Sequence, residues 1–297
     1  MLETLAAGQL AFAALALGAL YGLIALGLNL VYGTMRLLNV AHGEVVMLGG
    51  YATYWAFTLA GVPPLAAVAL TAAGGAALGA AAYQWLFRRL LASPRAAARI
   101  EANSLLAFFG LSIVVQNLAA LAFSSTPRGY EYLPAVIRIG DAAVTGARLA
   151  AVALAIALCA AVLLFLRRHT FGLAMRALID HRAAAAVVGV DVDRVQRGSF
   201  VLGFATAAVA GTLLSMTEQV SPFMGFPVTI AAFVVVILGG LGRPEGTIAA
   251  ALVLGVVETY GVALTSPTYR SILVYGVFVL LLLARPQGLL GRRAIVR

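Results

Sequence analysis

Residues 10–31, LAFAALALGALYGLIALGLNLV, decide the fold of this chain. The run carries no charge, and about 20 apolar residues in a helix span the ~30 Å hydrocarbon core of a bilayer. The pattern predicts an all-α, polytopic transmembrane helical bundle with eight or nine spans, the count depending on one short run at 228–240. The other runs lie near 40–60, 65–87, 103–123, 149–166, 199–217, 228–240, 247–264 and 271–284. All are continuously apolar, whereas the strands of a membrane barrel alternate.

The composition excludes a soluble protein. The chain has 297 residues, 63% of them hydrophobic and 10% charged, with a mean hydropathy of +1.01. A soluble domain of this length needs far more polar surface. Nothing divides the chain, so residues 1–297 are predicted to form a single transmembrane domain. Cys159 is the one cysteine, which excludes an internal disulfide and a cysteine metal cluster.

The net charge of +9 is carried by arginine alone and indicates topology rather than nucleic-acid binding. If the N-terminus lies outside and nine spans alternate, sixteen of the twenty arginines fall inside, as the positive-inside rule expects. The C-terminus is then cytoplasmic. The outer segments at 124–148 and 218–227 are rich in turn residues and suited to a periplasmic partner.

A charged, Ala-rich segment at 167–198 interrupts the apolar pattern on the predicted cytoplasmic side. From Phe171 to Val188 it reads FGLAMRALIDHRAAAAVV, composed largely of strong helix formers, and Gly189 stands where a helix cap is expected. The pattern predicts a short amphipathic helix. Such a helix can lie on lipid, but charges of both signs among small alanines favour packing into a groove of another protein.

Two breaks in the hydrophobic pattern are alike: YGTMRLLNVAHGE at 32–44 and GGLGRPEG at 239–246. Matching breaks in two halves suggest an internal repeat with a pathway nearby, while the simpler interpretation is two tight cytoplasmic turns. The first break contains Asn39, His42 and Glu44. These three residues are candidates for the pathway, as a proton relay, or they form a polar cluster that fixes the turn.

Four further polar residues lie within predicted spans and are candidates for the pathway. Glu258 is the deepest acid, and an unpaired carboxylate there costs a few kcal/mol. It is expected either to pair with a partner or to line the pathway. Asn29, Gln116 and Asn117 are uncharged, and hydrogen bonding between helices is the favoured use.

The chain contains no recognisable catalytic motif. The sequences G-x-S-x-G, H-E-x-x-H and G-x-x-x-x-G-K-[ST] are absent. We therefore expect neither an enzyme, nor a metal site, nor a bound cofactor, and any use of ATP must rest with partner subunits.

The chain resembles the permease subunits of bacterial ABC importers for branched-chain amino acids, the hydrophobic amino acid uptake family. The resemblance covers nearly the whole length. It is carried by LNVAHGEVVMLGGY at 38–51, FGLAMRALIDHRAAAAVVGVDVDRV at 171–195, ILGGLGRPEGTIAAALVLGVVE at 237–258 and RPQGLLG at 285–291.

The resemblance implies a multi-pass protein of the inner membrane, working by alternating access with a second homologous permease, two cytoplasmic ATPases and a periplasmic binding protein. Residues 171–189 would be the coupling helix in an ATPase groove. Its candidate contacts are Arg176, Asp180, His181, Arg182, Ala184, Ala185 and Gly189. The general importer pattern has Glu where this chain has Ala183, so Asp180 or Arg182 is the candidate replacement.

The resemblance implies leucine, isoleucine and valine as the default substrates. Related importers take urea, short amides, other amino acids or aromatic acids, and no residue of this sequence selects among them. Two other classes of function stay open at this point. One is a secondary transporter that uses His42, Glu44 or Glu258 as ion sites, and the other is a membrane scaffold without transport.

Overall fold

The computed structural model describes residues 8–90 and 99–284 of the chain as a helical bundle with one small hairpin. Arg95, the RPQGLLG motif and both termini lie outside the described residues. The helices are α1 Gly8–Met35, α2 His42–Ala60, α3 Pro64–Ala82, α4 Ile100–Phe123, α5 Gly146–Arg168, α6 Thr170–Asp180, α7 Arg182–Val187, α8 Val192–Ser215, α9 Gly225–Gly239, α10 Pro244–Leu264 and α11 Arg270–Ala284. After α3 the chain continues helically, as a π-helix at Tyr83–Phe87 and a last turn at Arg88–Leu90.

Each predicted apolar run falls on one of these helices, so the predicted fold class is confirmed. Among the described residues, six helices are long and apolar enough to cross a bilayer: α1, the α3 helix through Phe87, α4, α5, α8 and α10. This number is smaller than the eight or nine spans expected. The difference arises because α9 has only 15 residues and α11 has 15 up to Ala284, where the described residues end, and because α2 carries His42 and Glu44 in its first turn.

The two ends of the bundle differ in structure. The hairpin end carries strands β1 Val136–Ile139 and β2 Ala142–Thr145, which pair antiparallel. The α6–α7 end carries the two short helices for which it is named. Helix α1 crosses the whole bundle, since Gln9 accepts a hydrogen bond from the backbone N–H of Ala143 in β2, while Gly33 packs near Gly242 at the other end.

Helix α2 begins in the interior of the bundle rather than at an end. The imidazole Nε2 of His42 lies 3.0 Å from the carbonyl oxygen of Ile24, and Ile24 is about 16 Å along α1 from Met35 at 1.5 Å per residue. The chain after Met35 therefore folds back into the bundle before α2 starts toward the hairpin end. The first predicted break is thus a re-entrant segment, not a tight turn.

Helix α9 also begins in the interior, facing the start of α2. The Thr229 hydroxyl donates to the Val40 carbonyl at 3.0 Å and accepts from the Gly43 N–H at 2.8 Å. The crossing that starts beyond Ser215 is therefore made by an irregular segment, residues 216–224, followed by α9. At 15 residues α9 is about 22 Å long, which explains the short apolar run.

The second predicted break is a tight turn between α9 and α10, and Asn29 holds it. Gly240 and Gly242 have positive φ angles of 97° and 77°, which favour glycine. The Asn29 carbonyl accepts from the Gly242 N–H at 2.6 Å, and its amide donates to the Thr247 hydroxyl. The two breaks meet at Gly33 and Gly242, but they differ in form, since one is re-entrant and the other is a tight turn.

Glycines allow α8 to pack closely at the centre of the bundle. Gly49 of α2 lies against the backbone of Ala208, and Gly211 of α8 lies against the backbone of Val46. On α3, Gly75 is buried where that helix crosses α8. Small residues permit this approach, and dispersion contacts and interhelical hydrogen bonds then stabilise the crossing.

Neighbouring glycines of α3 provide a matched test of this packing. A Cβ at Gly75 would lie 2.6 Å from the Phe204 carbonyl oxygen and 2.7 Å from the Ala208 Cβ, whereas a Cβ at Gly74 would meet nothing within 4 Å. We expect Gly75→Ala to destabilise the protein by about 1–3 kcal/mol through overpacking. Gly74→Ala should be neutral or stabilising by up to about 1 kcal/mol. Unfolding of the purified variants in detergent measures both, and equal stabilities would contradict the packing described.

Candidate functional site

The predicted polar residues do not form one site; the structure separates them into several places. Glu258 lies toward the hairpin end, and Asn39, His42 and Glu44 lie in the interior. Asn29 of α1 bonds to the α9–α10 turn and to Thr247 of α10, which is the expected hydrogen bond between helices. On α4, Gln116 is half-buried, while Asn117 is exposed and donates to the Ile113 carbonyl of its own helix at 2.8 Å.

Glu258 is buried and paired. Its side chain is 2% exposed and forms an ion pair with Arg270 at the start of α11. The Tyr21 hydroxyl of α1 donates to Glu258 Oε2 at 3.0 Å, and Arg270 Nη2 donates to the Tyr21 oxygen at 3.4 Å. The structure therefore contains the pairing expected of Glu258. Arg270 and Tyr21 were not singled out in the sequence.

Two adjoining cavities open beside this ion pair toward the hairpin end. Their volumes are about 270 and 390 Å³, and both are lined by Leu17, Leu20, Leu214, Glu218 and Arg270. The irregular segment 216–224 contributes to their walls. Non-helical backbone at membrane depth is tolerated only where protein buries it or where it lines a water-filled cavity. Glu258 lines the larger cavity, so it is both paired and placed beside the opening.

Asn39, His42 and Glu44 are all buried near the start of α2, where His42 faces the Ile24 carbonyl of α1 and Glu44 faces the first residue of α9. Their exposed fractions are 0%, 0% and 1%. Ser112 donates to Glu44 Oε1 at 2.8 Å. The Asn39 amide, His42 Nδ1 and Glu44 Oε2 have no hydrogen-bond partner among the described residues.

The placement of Glu44 explains how an acid is accommodated there. It lies in the first turn of α2 and against Gly225, the first residue of α9. A helix N-terminus carries roughly half a positive charge, which favours a nearby anion. Two helix starts therefore face one carboxyl group, whose other neighbour is the Ser112 hydroxyl.

The predicted single helix over 171–188 is two helices, α6 and α7, separated at His181. The backbone of His181 is extended, with φ −155° and ψ 97°, and its Nδ1 accepts from the Ala184 N–H at 3.1 Å. The side chain therefore caps a new helix. Gly189 has the positive φ of 88° expected of a cap. His169 caps α6 in the same way, accepting from the Phe171 N–H.

Most of the predicted coupling residues are exposed at the α6–α7 end. Ala185 differs, since it is 3% exposed and packs into a cluster with Met175, Leu178 and Val195. The exposed members are Arg176, Asp180, His181, Arg182, Ala184 and Gly189.

Two further residues of this surface were not among the predicted coupling contacts. Val187 and Val188 are 87% and 77% exposed. The signal that locates them is the apolar pair VV directly before the Gly189 cap, at the end of an alanine run. Together with the six exposed residues above, they form what we call the α6–α7 surface.

A polar groove of about 380 Å³ adjoins the α6–α7 surface. Arg176 and Asp180 line one side of it, and the α9–α10 turn with Glu245 lines the other. Glu245 forms an ion pair with Arg167 at 3.3 Å, and both side chains are substantially exposed. This end therefore presents exposed apolar residues, capped helix starts and charges of both signs together.

Comparison with known proteins decides the family. The family described as "branched-chain amino acid transport system / permease component" matches residues 10–282. The chain belongs to this family. This permease is 34% identical to the high-affinity branched-chain amino acid transport system permease protein LivH of Salmonella typhimurium, over 96% of this chain and 95% of the relative. It is 32% identical to the corresponding protein BraD of Pseudomonas aeruginosa, over 94% of both chains.

A shorter similarity connects the permease with a differently named protein. It is 32% identical to the high-affinity branched-chain amino acid transport system permease protein LivM of Escherichia coli, over 42% of this chain and 29% of the relative. No solved structure matches the chain. The resemblance carried by the four motifs is thereby confirmed at the level of the family, and this permease is a multi-pass membrane protein.

Proposed function

We propose that this chain is the permease subunit of an ATP-driven importer that carries leucine, isoleucine and valine across the bacterial inner membrane. The observation that carries the proposal is the similarity over 94–96% of the chain to permeases named for high-affinity branched-chain amino acid transport. Urea, short amides and aromatic acids are the alternative substrates within the same importer class.

The orientation follows from the distribution of arginine over the two ends. Among the described residues, the α6–α7 end carries Arg167, Arg168, Arg176, Arg182, Arg194, Arg197 and Arg243, whereas the hairpin end carries Arg128, Arg138, Arg148 and Arg270. The positive-inside rule then makes the α6–α7 end cytoplasmic. The N-terminus lies outside and the C-terminus inside the cell.

The α6–α7 surface is the contact with a cytoplasmic ATPase. Exposed Val187 and Val188 supply the apolar centre of the contact, and Arg176, Asp180 and Arg182 supply charges around it. Apolar residues at the centre of an interface with polar groups at its rim are the usual arrangement. Asp180 or Arg182 replaces the acid that is missing at Ala183. ATP is bound and hydrolysed by the partner, and the permease itself binds no cofactor.

The complete importer contains a second permease, two ATPases and a periplasmic binding protein. The partial similarity to LivM supports a second, related permease. The binding protein docks at the hairpin end, where the cavities open beside residues 216–224. ATP binding brings the coupling helices together and opens the pathway outward, so the ligands act by favouring one of two conformations.

Purification of the tagged chain from its native membrane tests this assignment. We expect a second permease and two soluble ATPases to co-purify in fixed proportion. Recovery of the chain alone, under conditions that retain other ABC complexes from the same membrane, would contradict the proposal.

A further inference from the structure

We infer that the cavities at the hairpin end hold the transported amino acid as a zwitterion. The inference rests on the proposed function. Arg270 takes the substrate carboxylate, Glu218 takes the ammonium group, and the apolar wall takes the branched side chain. The arrangement that carries the inference is a cation and an acid that line the same two cavities on a largely apolar background.

Arg270, which would bind the substrate carboxylate, is held in place by the buried acid Glu258. Arg270 uses Nε toward Glu258 and Nη2 toward the Tyr21 hydroxyl. A guanidinium has five N–H donors, and Nη1 has no hydrogen-bond partner among the described residues. The side chain is 50% exposed. Arg270 therefore presents a fixed set of donors to the cavity, and such a fork matches a carboxylate.

The residue that would bind the substrate ammonium group is Glu218, an acid without a protein partner among the described residues. Glu218 lies in the irregular segment after α8 and is exposed, and its side chain has no hydrogen bond or ion pair within the described residues. It lines both cavities, as Arg270 does. A carboxylate that lines the same two cavities as the fixed guanidinium provides the second charge that a zwitterion requires.

The remaining wall suits a small branched side chain. Leu17, Leu20, Ile24, Val228 and Val274 line the smaller cavity, whose volume is about 270 Å³. Ligand cavities commonly run from roughly 300 to 1,000 Å³ and combine an apolar lining with a few placed polar groups. At about 270 Å³ this cavity lies just below that range, which suits a ligand as small as a single amino acid. Urea and short amides lack the apolar group that this wall would cover.

Saturation-transfer NMR with L-leucine tests the inference on the assembled importer in nanodiscs, without the binding protein. We expect transfer to the leucine methyl groups in the native complex. Glu218→Gln should weaken leucine binding about tenfold, since a charge-assisted hydrogen bond is lost. The matched control is Glu131→Gln, an exposed acid of the outer loop that lines neither cavity, and it should leave binding unchanged.

Two analogues identify which charge each residue contacts. Isocaproate lacks the ammonium group and leucinamide lacks the carboxylate, so each should bind the native complex more weakly than leucine. In Glu218→Gln, leucine and isocaproate should bind equally, while leucinamide stays weaker. This pattern does not depend on substituting Arg270, whose loss would leave Glu258 unpaired.

The outcomes separate this inference from the proposed function. The site would be overturned if the native complex and Glu218→Gln bound leucine equally. It would also be overturned if the cavity were found to hold phospholipid that leucine does not displace. ATP-driven leucine uptake by a complex that gives no leucine signal would overturn the site alone. A native complex that transports no branched-chain amino acid would overturn the proposed function as well.

Discussion

Val187→Asp is expected to abolish ATP-driven uptake while leaving the permease folded. Val187 is 87% exposed at the end of α7, so the substitution buries no charge within the chain. In the assembled importer the same carboxylate would enter an apolar contact. A carboxylate buried there without a partner costs about 2 kcal/mol or more, which weakens binding of the ATPase by about 30-fold. Leucine uptake by reconstituted importer and retention of the ATPase on the tagged permease measure the effect.

The matched control for this prediction is Val136→Asp. Val136 is 61% exposed on β1 at the hairpin end, so it carries the same chemical change away from the ATPase. This variant should retain the ATPase, and its unfolding temperature should equal that of the unsubstituted protein. Native uptake by Val187→Asp would remove the α6–α7 surface from the contact. Ala185 is a poorer probe, because it is buried and a large substituent there would disturb the chain's own packing.

Arg270→Leu is expected to destabilise the permease by about 3 kcal/mol. Glu258 is 2% exposed and relies on Arg270 for its counter-charge, and removal of one partner of a buried ion pair leaves an uncompensated charge. The cost lies at the lower end of the range for such pairs because Arg270 is 50% exposed. Unfolding of the purified protein in mixed detergent measures the change.

The double variant distinguishes pairing from a general loss of packing. Arg270→Leu combined with Glu258→Leu should recover most of the stability, because an apolar replacement of both partners is often neutral or stabilising. Arg138→Leu, an exposed arginine of β1, is the control and should have little effect. A double variant as unstable as Arg270→Leu alone would contradict the described pairing. Recovery would favour a structural role for Glu258 over a role as an ion-coupling site.

The membrane-spanning architecture could be predicted from the sequence, whereas the depth of each helix could not. Apolar length identifies a segment such as 10–31 as a span, because burial in lipid requires it. It does not indicate that α2 and α9 begin in the interior. Their starts depend on long-range contacts, such as that of His42 with Ile24 and that of Thr229 with Val40. In the sequence, the short apolar run at 228–240 is the feature that indicates the interior start of α9.

Individual residues of the candidate site could be predicted from the sequence, but their arrangement in space could not. Glu258 stands out because an acid in an apolar run is costly, yet its partner Tyr21 is 237 positions away. Glu218 and Arg270 are unremarkable in a polar loop and at a helix start, and only the fold brings them to one cavity. At the other end, helix propensity favoured a continuous helix, but the His181 side chain caps a new helix and turns Ala185 inward.

Uptake of leucine into proteoliposomes that contain the purified importer distinguishes an ATP-driven permease from an ion-coupled transporter. We expect uptake only with ATP inside, loaded binding protein outside and both ATPases present, and no change when ion gradients are collapsed. Gradient-driven leucine uptake by the isolated chain, without ATP or partner subunits, would show that the chain is not an ABC permease.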